Sequence, residues 1–233
     1  MIIAGHQPEY LPYIGFFNKM MNCDKFVLVD HVQFTKKRFQ NRNRIKTATG
    51  EIFLTAHVLT KGKFDQPINE VVINNNTNWQ KKNWRSILLN YQKTEFFNEY
   101  KKKFEEIFSK KWEKLVSLNE AIIRYLASQL DINVEIVKSS DLELVGSKTE
   151  MLVDMCKKLS ADTYLSGEGG RTYVDIKKFK DNNITHLFTN FKHPVYSQQF
   201  ESFIPNMSVI DLLFNHGNKA SREIILKSGN IGK

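Results

Sequence analysis

The stretch MIIAGHQPEYLPYIGFFNKMMNCDKFVLVD, Met1 to Asp30, decides the fold. Residues 1–5 are short and apolar, as expected of a buried strand, and residues 13–21 have helical character. Residues 25–30 are rich in Phe, Val and Leu, which favour strands. Strand, helix and strand in this order make a βαβ unit. The sequence therefore predicts an α/β fold with a mainly parallel, Rossmann-like sheet.

A helical section and a small β-rich section separate this unit from the rest. Residues 79–130 show helical periodicity with aromatic stripes, which indicates a helical insertion whose aromatic side chains are core. Before it, residues 43–47 and 52–58 predict a hairpin that turns at Gly50, and residues 69–73 a further short strand.

Beyond the insertion the α/β pattern resumes. Strands are expected at 134–138, 163–166 and 184–188, and helices at 147–159, 174–180, 209–214 and 220–227. Ser147 and Glu150 have the spacing of a capping box at the start of the first of these helices. The simplest partition is one α/β domain over residues 1–233.

Composition sets limits on the class of protein. The chain has 34 Lys and Arg against 25 Asp and Glu, a formal charge of +9. This charge favours anionic partners, although paired surface lysines explain it equally well. Cys23 and Cys156 have no zinc or disulfide spacing, no run approaches the length of a membrane span, and no signal peptide is seen. We expect a cytoplasmic protein without a metal site.

The loop HQPEYLP after the first strand is the leading site candidate. Ligands of open α/β sheets bind at the carboxyl ends of strands, and the two prolines stiffen the loop that carries His6, Gln7 and Tyr10. His6 is the candidate catalytic base. Phosphate binding and a plain hydrogen bond to the backbone are the alternatives.

A polar, basic segment follows the second strand and should face the same crevice. Its candidate residues are Asp30, Gln33, Asn41, Arg42, Asn43 and Arg44. Arginine and asparagine suit phosphate, carboxylate or base edges. Strand alternation puts the two asparagines on one side and the two arginines on the other, so only one pair can line a pocket. A solvated loop is the alternative.

Two later segments complete the candidate set. The Gly-rich turn after the strand at 163–166, with Gly167, Gly169, Gly170 and Arg171, allows backbone N–H groups to approach phosphates, although the motif alone is weak. Asp211 lies in an apolar helix, where a buried carboxylate needs partners. It is either a catalytic base or a structural anchor. Standard triad and metalloenzyme motifs are absent.

These residues resemble the WbqC-like family. The resemblance rests on HQPEYLPYIGFF, DKFVLVDHVQFTKKRFQNRNRIKTATG, SKTEML with TYLSGEGGRTYVD, and YSQQFESFIPNMSVIDLLFNHG, in order along nearly the whole chain. It implies a role in O-antigen or other surface polysaccharide biosynthesis. The substrate-binding candidates also include Lys148, in SKTEML, and Tyr196 and Gln198, which belong to the polar segment His193 to Gln198 that precedes Asp211 and is a candidate in its own right. His57 stands where the family is expected to have proline.

A more distant similarity is to adenylate-forming enzymes such as pantothenate synthetase, and it raises ATP as a cofactor. The second motif histidine of those enzymes is missing here, since Tyr10 and Tyr13 occupy its neighbourhood. The leading hypothesis is transfer of an acyl or aminoacyl group to a nucleotide-linked amino sugar. A non-catalytic binding protein of the polysaccharide pathway and a tRNA or other RNA binder are the alternatives.

Overall fold

A computed structural model of the protein describes residues 1–232. Its main sheet has six strands, which with the two of a separate hairpin are numbered β1 to β8 in chain order: β1 (Ile2–His6), β2 (Lys25–Leu28), β5 (Glu135–Lys138), β6 (Thr163–Ser166), β7 (Thr185–Phe191) and β8 (Gly229–Gly232). The order across the sheet is β5-β2-β1-β6-β7-β8, and all pairs are parallel except β7 with β8. The predicted α/β fold with a mainly parallel sheet is confirmed.

The hairpin is a separate two-stranded sheet of β3 (Arg42–Thr47) and β4 (Gly50–Thr55). Gly50 has a φ of +124° at the turn, which requires glycine. The strand expected at 69–73 is wrong. Ile68–Glu70 forms a 3₁₀ helix, and Val72 and Ile73 make only isolated bridges to two different segments, so no ladder can form.

Residues 1–232 contain seven α-helices: α1 (Ile14–Met21), α2 (Trp79–Tyr91), α3 (Phe97–Ser109), α4 (Leu115–Gln129), α5 (Thr149–Lys158), α6 (Ile176–Lys180) and α7 (Val209–Lys227). The two helices predicted near the C-terminus are one helix, α7, kinked at Gly217. A Cβ at Gly217 would lie 2.7 Å from the Phe96 ring. The capping box of α5 is wrong, because the helix begins after Lys148 and the Glu150 side chain binds Lys178 instead.

The sheet separates two apolar clusters. In β1, Ala4 belongs to the larger cluster, which includes α1, α2 to α4 and α7, and Ile3 belongs to the smaller one against α5 and α6. The aromatic stripes of α2 to α4 are part of the larger cluster, as predicted. Because the helical section shares its core with the sheet, we propose that the chain forms one domain. Within residues 1–232, no helix is both long and apolar enough to cross a membrane.

Candidate functional site

A cavity of about 490 Å³ opens at the carboxyl edge of the main sheet, where β2, β1 and β6 end side by side. Its polar lining comes from the loop after β1 (His6, Gln7, Glu9), helix α1 (Lys19), the basic segment (Arg38, Gln40) and the end of β6 with its turn (Ser166, Gly167, Gly169, Gly170). The volume lies within the range of small-molecule sites in proteins.

His6 ends β1 and presents one ring nitrogen to the cavity. Its Nδ1 lies 3.0 Å from the carbonyl oxygen of Gln7, which can only accept, so Nδ1 carries the proton and donates it. Burial, with a smaller contribution from the Lys19 charge, lowers the pKa of His6 to about 3. At neutral pH the imidazole is therefore uncharged, and its Nε2 has a free lone pair.

Glu9 faces His6 in the same loop. Its Oε1 lies 3.9 Å from His6 Nε2, and its Oε2 is buried and has no hydrogen-bond partner within residues 1–232. Burial raises the pKa of Glu9 to about 8, although the nearby Lys19 opposes the shift. Since both side chains are uncharged at neutral pH, their contact is not an ion pair.

Lys19 is the buried cation of the site. Helix α1 buries seven of its eight residues, Lys19 among them, and the Lys19 ammonium donates a 2.8 Å hydrogen bond to the carbonyl oxygen of Gly5. Burial lowers its pKa to about 8, while Cys23 and Glu9 raise it in part. His6, Glu9 and Lys19 thus form a cluster of proton donors and acceptors with shifted pKa values, which is typical of functional sites. We call it the proton cluster.

The polar wall beside the proton cluster is held by side-chain amides. Gln40 is buried; its Nε2 donates to Gln7 Oε1 at 2.7 Å, and its Oε1 accepts from the Thr35 amide at 2.8 Å. The hydrogen bond between Gln40 and Gln7 joins the loop after β1 to the basic segment. Arg38 is exposed at the same wall and contributes a permanent positive charge to the cavity lining.

The Gly-rich turn forms another part of the cavity lining. A Cβ on Gly170 would lie 2.9 Å from the Ser166 Cβ, so this position has no room for a side chain. Gly169 has open space where its side chain would be. The turn contacts the end of β6 closely at one glycine and leaves the cavity open at the other.

The structure brings five of the predicted residues to the cavity: His6, Gln7, Gly167, Gly169 and Gly170. Asp30 follows β2 at the same edge but points elsewhere. Its carboxylate accepts hydrogen bonds from the Ser139 and Ser140 hydroxyls and the Ser140 amide, and so fixes the turn after β5.

The other predicted residues of the basic segment and the turn lie outside the cavity lining. Gln33 donates to the Phe64 carbonyl, Arg42 stacks on Phe53, and Arg44 pairs with Glu51. The alternation expected of residues 41–44 is seen, with both asparagines buried and both arginines partly exposed. Three further predicted residues also lie outside the lining. Tyr10 is buried and accepts a hydrogen bond from Asn83, Lys148 is exposed, and Arg171 pairs with Glu168.

Asp211 forms a separate buried cluster with two other predicted residues. Its carboxylate accepts hydrogen bonds from the Tyr91 hydroxyl (2.7 Å), the Tyr196 hydroxyl (2.9 Å) and Gln198 Nε2 (2.8 Å). Burial raises the pKa of Asp211, and these three donors, with the charge of Lys46, oppose the shift. The carboxylate joins α2, α7 and the loop at 196–198, an anchoring geometry.

Glu9, Lys19, Arg38, Gln40 and Ser166 of the cavity lining were not among the predicted site residues, although all of them except Lys19 lie in the candidate segments. Lys19 had a usable signal, because a lysine inside the apolar helix IGFFNKMM must find a buried partner. Glu9 was part of the quoted loop. Within residues 1–232, no group of three or more His, Cys, Asp and Glu side chains is arranged to hold a metal ion.

Comparison with known proteins gives a family and a relative. Residues 7–223 match the model of the WbqC-like protein family. The chain is 35% identical, over 220 residues, to an uncharacterized protein of Mycobacterium tuberculosis (strain ATCC 25618 / H37Rv), Rv1507c; the match covers 94% of this chain and 95% of that protein. No solved structure matches. With a family match that runs from the His6 loop into α7, the chain belongs to the WbqC-like protein family.

Proposed function

We propose that the protein transfers an acyl or aminoacyl group from an activated donor to the amine of a nucleotide-linked amino sugar during surface polysaccharide biosynthesis. The observation that carries the proposal is the uncharged His6, whose Nδ1 is fixed by the Gln7 carbonyl and whose Nε2 lone pair faces the cavity. The pathway and the acyl-sugar chemistry come from the resemblance described above, and the site supplies candidate groups for proton transfer and phosphate binding.

An amine attacks an acyl carbon only when its nitrogen has a free lone pair. A sugar amine arrives largely as an ammonium ion and gains positive charge again as the new bond forms, so it must lose protons to a base. His6 Nε2 accepts one such proton in the transition state when Glu9 beside it ionises, because an imidazole whose pKa is held at about 3 is too weak a base on its own. Its position in a partly buried loop, with 26% of the side chain exposed, keeps it within reach of a ligand in the cavity.

Glu9 and Lys19 adjust the charge around His6. When His6 takes a proton, the pKa of the Glu9 carboxyl 3.9 Å away falls, because opposite charges at that distance attract strongly in a buried site. Lys19 holds a positive charge near the carbonyl oxygen of Gly5 and can balance negative charge on an acyl oxygen or a phosphate.

Arg38 and the Gly-rich turn suit the nucleotide diphosphate. Arg38 is a fixed positive charge at the cavity wall, and Gly169 leaves open space there. The net charge of +9 favours encounter with polyanions. In this proposal Arg38 takes the phosphate-binding role that the sequence had suggested for residues 41–44.

Thermal unfolding with defined ligands tests the proposal. UDP-glucosamine and a dTDP-linked amino sugar, each at millimolar concentration, should raise the melting temperature; saturation at 100 times Kd corresponds to about 2.7 kcal/mol. UDP alone measures phosphate binding, and UDP-N-acetylglucosamine, whose amine is already acylated, measures the need for a free amine. Stabilisation by none of the nucleotide sugars contradicts the proposal. Stabilisation without acyl transfer from any activated donor supports a non-catalytic binding protein.

A second candidate, RNA binding, is favoured by one observation. Phe53 and Phe64 are exposed and pair with cations of the basic segment: Arg42 lies 4.2 Å from the Phe53 ring centre and Lys36 Nζ lies 5.5 Å from that of Phe64. Aromatic and cationic groups together bind single-stranded nucleic acid. Affinity for tRNA that falls steeply between 50 and 200 mM salt, as in a protein that contacts many phosphates, would favour this function.

A further inference from the structure

A serine that lines the cavity contacts a histidine that lies outside the lining. Ser166 is the last residue of β6, and His186 lies on the neighbouring strand β7. Ser166 Oγ is 2.9 Å from His186 Nε2, and both residues are buried. Ser166 lines the same cavity as His6 and Lys19, yet neither Ser166 nor His186 has a role in the function proposed above.

Aromatic rings fix the orientation of His186. Its ring centre lies 4.5 Å from that of Phe188, 4.7 Å from Phe179 and 6.1 Å from Tyr164. Burial, with a contribution from the Arg171 charge, lowers the pKa of His186 to about 4, so the ring is uncharged at neutral pH. Within residues 1–232, Nδ1 is buried and has no partner. In a serine hydrolase triad a carboxylate holds the imidazole in position. Here the packed aromatic rings position it instead.

The Ser166 hydroxyl donates to His186 Nε2 in the tautomer that carries the ring proton on Nδ1. Ser166 Oγ has no other hydrogen-bond partner in the described chain. A second pair, Ser139 and His31, is even closer at 2.6 Å, but Ser139 Oγ donates its proton to Asp30 Oδ1, and neither residue lines the cavity. Ser139 is therefore a structural serine, whereas Ser166 contacts a histidine and also lines the ligand cavity.

We propose that Ser166 is a nucleophile that holds the acyl group as an ester between donor and amine, with His186 as its base. The inference rests on the proposed function and adds a covalent step. Ser166 Oγ bonds to the acyl carbon of an activated ester or thioester and passes its proton to His186 Nε2, which gives it to the leaving alcohol or thiol. The amine, freed of its ammonium proton by His6, then bonds to the acyl carbon. His186 takes a proton from the attacking nitrogen and returns it to Oγ as the ester bond breaks.

Lys19 lies where negative charge develops in both halves of this reaction. Its ammonium is 3.8 Å from the position that a Cβ on Gly167 would take, next to Ser166 in the chain. A cation held beside the attacked carbonyl stabilises the tetrahedral intermediate. His6 and His186 thus provide two bases near one cation. Direct attack by an amine requires one base, whereas the two-step transfer uses both.

Acylation of the whole protein with p-nitrophenyl acetate tests the inference without any sugar. The intact protein, quenched in acid, should gain the mass of one acetyl group, and peptide mapping should place it on Ser166. The peptide with Ser139 is the internal control and stays unlabelled. Ser166→Ala should abolish the label, and His186→Gln should slow labelling about 10²- to 10⁴-fold.

Label on another residue, equal labelling of Ser166→Ala, or no label on the wild type overturns the inference. If Ser166→Ala does not fold, Ser166→Cys replaces it, and its label should be a thioester that hydroxylamine removes. A failure here is distinct from failure of the proposed function. Turnover with an amino sugar but no label on Ser166 means direct transfer to the amine. A label on Ser166 without binding of any nucleotide sugar supports the covalent step and contradicts a nucleotide sugar as the acceptor.

Discussion

His6 Nε2 and Glu9 Oε1 lie 3.9 Å apart, and both groups are uncharged at neutral pH although each would be at least partly charged in water. Burial has the same effect on both, since it disfavours whichever form carries charge. The loop therefore holds a base without its proton and an acid with its proton in one cavity. That is the starting state for proton transfer to and from a ligand.

The first prediction concerns the stability of Glu9→Gln as pH changes. The carboxyl titrates at about 8 in the folded protein and near 4.5 in the unfolded chain. Over this range the folded protein binds more protons, so the free energy of unfolding falls as pH rises. The amide of the variant cannot titrate. The variant should gain about 1–2 kcal/mol on the wild type between pH 6.5 and 8.

Urea unfolding at several pH values measures this difference. His6 and His186, whose pKa values are lowered, change stability in the opposite direction but below about pH 6.5. Lys19, whose pKa is lowered to about 8, also acts in the opposite direction and does so within the window; all three groups are present in both proteins. A constant difference between the variant and the wild type across pH 6.5–8 would show that Glu9 is ionised in the folded protein.

The second prediction concerns the rate of acyl transfer in His6→Ala. If His6 is the base, the variant should lose at least about a hundredfold in kcat. Its free energy of unfolding should change by less than about 1 kcal/mol, because the side chain is partly exposed at the end of a strand. His57→Ala is the matched control, since His57 is exposed and outside the cavity lining. A raised KM with normal kcat would indicate ligand binding instead.

The third prediction compares two neighbouring glycines. Gly170→Ala places a methyl group 2.9 Å from the Ser166 Cβ and should cost about 1–3 kcal/mol of stability and weaken ligand binding. Gly169→Ala meets nothing within 4 Å and should stay within about 0.5 kcal/mol of the wild type. Thermal unfolding with and without UDP-glucosamine measures both effects. Equal behaviour of the two variants would mean that the turn yields at Gly170.

The fourth prediction concerns Asp211→Asn. The carboxylate accepts hydrogen bonds from two hydroxyls and one amide, and the NH₂ group of asparagine cannot accept them. The variant should therefore lose about 2–4 kcal/mol of stability. Its affinity for UDP-glucosamine, measured below the melting temperature, should equal that of the wild type because Asp211 does not line the cavity. Normal stability with lost turnover would reveal a catalytic role.

Much of the architecture could be predicted because local patterns determine it. Phe, Val and Leu in residues 25–30 and Thr, Tyr and Leu in residues 163–166 favour strands and identify β2 and β6, and the carboxyl-end rule then points to the Gly-rich turn, as it does to the His6 loop after β1. The strand β8 was missed. GNIG has little strand propensity, and only its pairing with β7 makes it a strand.

Side-chain directions limited the prediction of the site. Asp30 follows a strand at the correct edge, but the Ser139 and Ser140 hydroxyls, more than a hundred positions away in the chain, turn its carboxylate from the cavity. Ser166 and His186 meet only through the register of β6 with β7, which no local pattern specifies. Lys19 did have a local signal in its apolar helix, but it was not selected because a lysine on a helix is usually on the surface.

The central place of β1 has a consequence for how the protein is made. A ribosome delivers β1 first, but one of its two neighbours, β6, is synthesised only when translation reaches residues 163–166. Until then the nascent chain has an open edge on β1 and lacks the cavity wall that β6 and its turn supply. Non-local parallel pairing of this kind folds slowly and exposes the edge to wrong partners. A chain cut short before β6 would contain the proton cluster without Ser166 and the Gly-rich turn, so its site would be incomplete.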